Sequence, residues 1–106
     1  MSTATEWKVR EILFTLSCMF EVSAAGILRG ASAEEALDAR ALAIWAMWQV
    51  GIREELQRPM GGQRAFKADF ILASMEKAVD MMDGSPRLKT EMDALVARAG
   101  LIRDVA

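Results

Sequence analysis

Residues 32–50 read Ser-Ala-Glu-Glu-Ala-Leu-Asp-Ala-Arg-Ala-Leu-Ala-Ile-Trp-Ala-Met-Trp-Gln-Val, and this stretch decides the fold. Ser32 followed by Glu35 is a capping-box pattern, in which each side chain satisfies a backbone N–H of the first helical turn. Glu34, Glu35 and Asp38 stand where the positive end of the helix dipole favours acids. Beyond Arg40 the polar face almost vanishes. Leu37, Ile44, Trp45 and Trp48 form one stripe at helical spacing, and Leu42, Met47 and Val50 fill the other sides. A helix that is apolar all round belongs at the centre of a bundle. The remaining helices are expected to pack around it.

Outward from this rod the chain reads as helix throughout. Thr3 and Glu6 form a second capping-box pattern, opening a helix that runs to about Phe20. Its expected inner face is Trp7, Ile12, Leu13, Leu16, Met19 and Phe20, with Lys8, Arg10 and Glu11 outside. Ser23 is placed to cap a short helix from Ala24 to Leu28, and Gly30 to end it. On the far side Gly51 breaks the central helix. Ile52–Arg58 is enough for two turns before Pro59, Gly61-Gly62 is a tight turn, and a long helix follows from about Arg64 to Met82. Its candidates for burial are Phe66, Phe70, Ile71, Met75, Ala78, Val79 and Met82. Asp83-Gly84-Ser85-Pro86 is a connector, with Gly84 after a helix end, Ser85 as N-cap and Pro86 at the first helical position. A last helix, Arg87 to Ala99, would bury Leu88, Met92, Leu95 and Val96 before Gly100 stops it, leaving Leu101–Ala106 to fray or fold back.

The expected architecture is therefore all-α, one bundle of about six helices. Residues 1–82 form its main domain, and 83–106 add a connector and a helix packed on it. At 106 residues, 53% of them hydrophobic, the chain suits one domain with a real core. No strand-like alternation occurs. The formal net charge of −2 gives no overall electrostatic footprint for nucleic acid, so such binding would need a local patch. The single Cys18 forms no internal disulfide and lies in an apolar stretch, read as a small buried residue. This and the lack of a signal-like start or membrane-length apolar run make the cytoplasm the expected compartment.

Enzyme chemistry has little to stand on. The chain has no His, no Cys pair for zinc and no phosphate-cradling glycine motif, so no catalytic residue, metal or cofactor is expected. The short helix, Gly-Gly turn and longer helix over Ile52–Met82 have the outline of a helix-turn-helix. Arg58, Arg64 and Lys67 cluster there, with no acid between Glu55 and Asp69.

Three segments in order resemble the C-terminal DNA-binding domain of the bacterial replication initiator DnaA. Met19-Phe20-Glu21-Val22-Ser23, leading to Ile27-Leu28-Arg29-Gly30, is similar to that family's "aromatic-Gly-Val-Ser … Leu-Arg-Ser" entry to its short second helix. Leu37-Asp38-Ala39-Arg40-Ala41-Leu42-Ala43-Ile44-Trp45 resembles its "Val-x-Ala-Arg-x-Ile-Ala-Met-Tyr" central helix. Glu55-Leu56-Gln57-Arg58-Pro59-Met60-Gly61-Gly62 resembles "Glu-Ile-Gly-Arg-Ala-Phe-Gly-Gly", the first helix and turn of its helix-turn-helix. The resemblance covers about residues 8–80. It implies a regulatory protein without ATPase activity that binds double-stranded DNA. Arg40 matches an Arg that lies near the DNA backbone in the family. In a DNA-binding reading the turn from Arg58 to Lys67 would meet phosphates, and Gln63, Arg64 and Lys67 would approach the groove. The ordinary reading of Arg58, Arg64 and Lys67 is a solvated loop.

The chain departs from the family where the DNA is read. The family's Arg-Asp-His-Thr-Thr is absent; Gln63-Arg64-Ala65-Phe66-Lys67-Ala68-Asp69 stands there instead. The basic loop before the central helix is replaced by the acidic Gly30-Ala31-Ser32-Ala33-Glu34-Glu35, and an extra helix follows Pro86. These departures motivate a second expectation: an adaptor or inhibitor of a replication or transcription factor that kept the fold and lost the DNA site. Met75, Met81, Met82 and Met92 read first as core; alternatively some of them, with Leu88 and Leu95, would form a partner face on the C-terminal helices. The ordinary reading of Arg40 is a guanidinium leaving the core or pairing elsewhere in the fold, and Trp45 and Trp48 read as core.

Overall fold

A computed structural model describes residues 3–28, 33–53 and 67–104. Five helices occupy them: α1 (Thr3–Phe20), α2 (Ala24–Leu28), α3 (Glu34–Gln49), α4 (Ala68–Asp83) and α5 (Pro86–Gly100). No strand occurs among the described residues. The short helix expected at Ile52–Arg58 and the Gly61-Gly62 turn fall largely or wholly outside them, so the count here is five rather than about six.

α3 is the central rod. Every residue from Ala39 to Met47 is buried, and the helix packs against α1, α2, α4 and α5. Its wall is made of Leu42, Ile44, Trp45 and Met47, with alanines between them that let neighbours approach. Burying a Leu, Ile or Met side chain contributes about 1.5–3 kcal/mol, so this helix anchors the fold. Ile12 and Leu16 of α1, Ile27 of α2, Ile71 and Met82 of α4, and Met92 and Leu95 of α5 close over it.

The ends of α3 divide expectation from outcome. Gly51 adopts φ +86 just beyond Val50, the left-handed geometry that stops a helix and that glycine enters without a Cβ penalty. At the other end the expected cap, Ser32, lies outside the described residues. The extended residue before Glu34 is Ala33, one place later than expected, and α3 has no side-chain cap hydrogen bond. Glu34 and Glu35 still occupy the first turn beside the dipole's positive end. Leu37 is exposed, because Ala36 and Ala39 take the inward positions of that first stretch.

Other ends follow local chemistry. Ser23 Oγ accepts the N–H of Gly26 at 3.0 Å, opening α2 as expected. Ser85 Oγ accepts the N–H of Leu88 at 3.2 Å with Pro86 next, so α5 starts where the sequence places it. Gly84 ends α4 at φ −82, a right-handed cap that needs no glycine geometry. α1 ends differently: Glu21 sits at φ +55, and Val22 N–H donates to Ser17 O at 3.2 Å. Glu21 occupies the position that the resembled motif fills with glycine. α1 opens at Thr3 itself, so Thr3 is inside the helix rather than capping it.

Two further corrections bear on the site. α4 begins at Ala68, not Arg64, because the backbone of Lys67 is extended (φ −72, ψ 151) and makes it the N-cap. Trp7 is exposed: Ala4, Ile12, Leu13 and Leu16 form the inward stripe of α1, and Trp7 lies outside it under the guanidinium of Arg10, 5.1 Å from the ring centroid.

Candidate interaction surface

Of the residues expected to meet DNA, Arg40 and Lys67 lie among the described residues. Arg58, Gln63 and Arg64 lie outside the described residues. Lys67 is exposed at the N-cap of α4. Arg40 is only 6% exposed. Its Nε donates to Ile27 O at 2.6 Å and its Nη2 to Gly26 O at 3.2 Å. These are end carbonyls of α2, which the helix itself leaves unsatisfied. Burial lowers the pKa of this guanidinium from its ordinary value, and an Arg stays charged through such a shift. Arg40 thus fastens the short α2 to the rod with charge-assisted hydrogen bonds.

Most other described cations are engaged within the fold. Lys77 pairs with Asp38 at 3.0 Å, joining α4 to α3, and Arg98 pairs with Glu11 at 3.0 Å, joining α5 to α1. Arg87–Glu91 and Lys89–Asp93 are i,i+4 pairs along α5. Arg53 lies 5.0 Å from the Trp48 ring centroid and Lys89 5.7 Å from that of Trp45. Arg103 donates to the carbonyls of Gly100 and Ile102. These described cations are thus tied to carboxylates, rings and carbonyls on several elements.

α4 presents something else. Ile71, Ser74, Ala78 and Met82 face the core, while Leu72 (62% exposed) and Val79 (43% exposed) stand in solvent beside half-buried Met75. Leu72, Met75 and Val79 recur at i, i+3 and i+7 and so share one stripe. With Glu76 and Asp80 they line a groove of about 410 Å³ along the helix. Asp69, Glu76, Asp80 and Asp83 are all exposed on the same helix, and none forms an ion pair with another described residue. A smaller cleft of about 180 Å³ lies between α3 and α4, with Leu37, Phe70 and Ala73 among its walls.

The residues named for a partner face on the C-terminal helices divide between core and surface, Met82 and Met92 being buried as first read. Leu95 is core as well, whereas Leu72 and Val79 of α4 are exposed. In the sequence Leu72 and Val79 adjoin the buried stripe, and the two together read as one wide apolar arc. Only the neighbours decide which part is covered. α1 carries a second exposed stripe, Trp7, Phe14 (68% exposed) and Cys18, the last being exposed rather than buried as expected. Their i, i+7, i+11 spacing shows in the sequence that they share a stripe, but not that it is exposed.

Among the described residues no group of His, Cys, Asp and Glu is placed to hold a metal ion. None of their helices is long and apolar enough to cross a membrane. Set against family models, curated proteins and solved structures, the chain matches none.

Proposed function

We propose that this chain is a protein-binding helical module, with α4 as its recognition element. The observation that supports this reading is the outer side of α4, where Leu72 and Val79 stand exposed along a groove edged by Glu76 and Asp80. Exposed apolar side chains grouped in a groove mark interaction surfaces more often than singly scattered ones do. The reading needs no catalytic activity. The resemblance to the DnaA C-terminal domain suggests the kind of partner system: an adaptor or inhibitor acting on a replication or transcription protein.

Binding of double-stranded DNA is the second reading. It is favoured by the exposed Lys67 at the amino-terminal end of α4, where Arg58, Gln63 and Arg64 precede it in the sequence and the helix dipole favours phosphate. Against it stand the buried Arg40 and the carboxylate of Asp69 in the first turn of α4.

Two measurements on the full chain separate the readings. A photoreactive amino acid in place of Leu72 is expected to give a discrete protein adduct in cells, while one in place of exposed Ala94 on α5 gives none. Fluorescence anisotropy with a random duplex is expected to show no binding at low salt. A duplex affinity that falls steeply with salt, with a slope reduced by about one on Lys67→Ala, would replace the protein-binding reading with the DNA one.

A further inference from the structure

α4 carries two parallel stripes on its outer side, and their chemistry differs. Leu72, Met75 and Val79 form the apolar one. Asp69, Glu76, Asp80 and Asp83, at i, i+7, i+11 and i+14, form an acidic one beside it. Among the described residues the groove is lined by Leu72, Met75, Glu76, Val79 and Asp80, all of α4, with Glu76 and Asp80 as its charged members. Its described wall runs along one helix and is open to solvent, unlike the enclosed cavities that take small molecules. What fits a groove of this form is an extended apolar ridge, such as the stripe of an amphipathic helix laid alongside.

The charges say which helix. The four carboxylates are without ion pairs among the described residues, while the one described cation on the opposite flank, Lys77, is held by Asp38 at 3.0 Å. Among the described residues, the flank of the groove thus carries a negative row without a paired cation. A ridge bordered by Lys or Arg would meet opposite charge there, and one bordered by Asp or Glu would be repelled. A second copy of this chain laid antiparallel, stripe on stripe, would bring two acidic rows side by side. Nucleic acid would meet the same repulsion along α4.

We infer that the outer face of α4 is the docking site of a basic amphipathic helix from a partner protein. Apolar residues of that helix at i, i+3 and i+7 seat against Leu72, Met75 and Val79, and its Lys or Arg side chains lie over Glu76 and Asp80. This inference rests on the protein-binding reading and names the class of partner.

The test uses two labelled model peptides with the same leucine ridge, one flanked by Lys and the other by Glu, titrated with the full chain by fluorescence anisotropy. The Lys peptide is expected to bind at least about tenfold more tightly than the Glu peptide. The double variant Glu76→Lys, Asp80→Lys, at two exposed positions outside the core, is expected to reverse that order. Leu72→Asp is expected to weaken the Lys peptide by about tenfold or more, with the helical circular dichroism of the chain unchanged. Equal binding of both peptides, binding of neither, or a double variant with unaltered preference would overturn the inference. So would a free chain that sediments as a dimer and is dissociated by Leu72→Asp, since the occupant would then be a second copy. Adducts from position 72 without preference for the Lys peptide would remove the basic helix and leave the broader reading intact. Loss of both would remove both.

Discussion

Asp104 accepts the backbone N–H of Ala4 through Oδ1 at 2.8 Å, across a separation of one hundred residues. The first turn of α1 has N–H groups that the helix cannot satisfy, and a carboxylate there both accepts a hydrogen bond and meets the positive end of the dipole. The segment after α5 therefore folds back to do what an N-cap ordinarily does locally. Asp104→Ala is expected to lower unfolding stability by about 1 kcal/mol and Asp104→Asn by less, since the amide keeps an acceptor. Urea denaturation of the two variants checks this, and equal stability of both with the parent would show the contact to be inert.

Arg40 holds the end carbonyls of α2, and its role can be separated from a role at a nucleic acid. Arg40→Ala leaves those carbonyls without their donor beside the buried rod, at an expected cost of about 2–3 kcal/mol. Arg40→Lys keeps the charge but lacks the planar fork that reaches two carbonyls, so it should recover only part of that loss. The checks are urea midpoints and amide exchange of α2, which should quicken in the Ala variant.

Two residues in left-handed geometry give predictions of opposite sign. Glu21 at φ +55 carries a Cβ that this conformation disfavours, so Glu21→Gly is expected to stabilise the chain by about 0.5–1 kcal/mol. Gly51 at φ +86 has open space where a Cβ would stand, yet Gly51→Ala is expected to cost about 1 kcal/mol through backbone strain alone. Thermal melts of both variants decide it. A destabilised Glu21→Gly would mean that the side chain contributes more than its conformation costs.

The interaction surface and the core should respond to substitution differently. Leu42→Ala, at a fully buried position of α3, is expected to cost about 2–5 kcal/mol. Leu72→Ala removes a mostly solvated side chain from α4 and should change stability by no more than about 0.5 kcal/mol. Denaturant titrations of the pair test whether Leu72 serves anything inside the fold. A loss above about 1 kcal/mol on Leu72→Ala would make it a packing residue.

Local chemistry was enough to place much of the scaffold from the sequence. Ser23 and Ser85-Pro86 open α2 and α5 because a hydroxyl and a fixed φ act on their own neighbours. Gly51 ends α3 because φ alone decides it, and the apolar circumference from Ala41 to Met47 can be satisfied only at the centre of a bundle. Tertiary packing decided the rest. Helical periodicity shows that Leu72 and Val79 share a stripe, but not whether a neighbour covers it, so the exposed face of α4 emerges only once α3 and α5 take their places. The same holds for Trp7 and Phe14. The partners of Arg40 and Asp104 lie far along the chain, and which carbonyl or N–H a charged side chain meets is fixed by helix packing rather than by residue spacing.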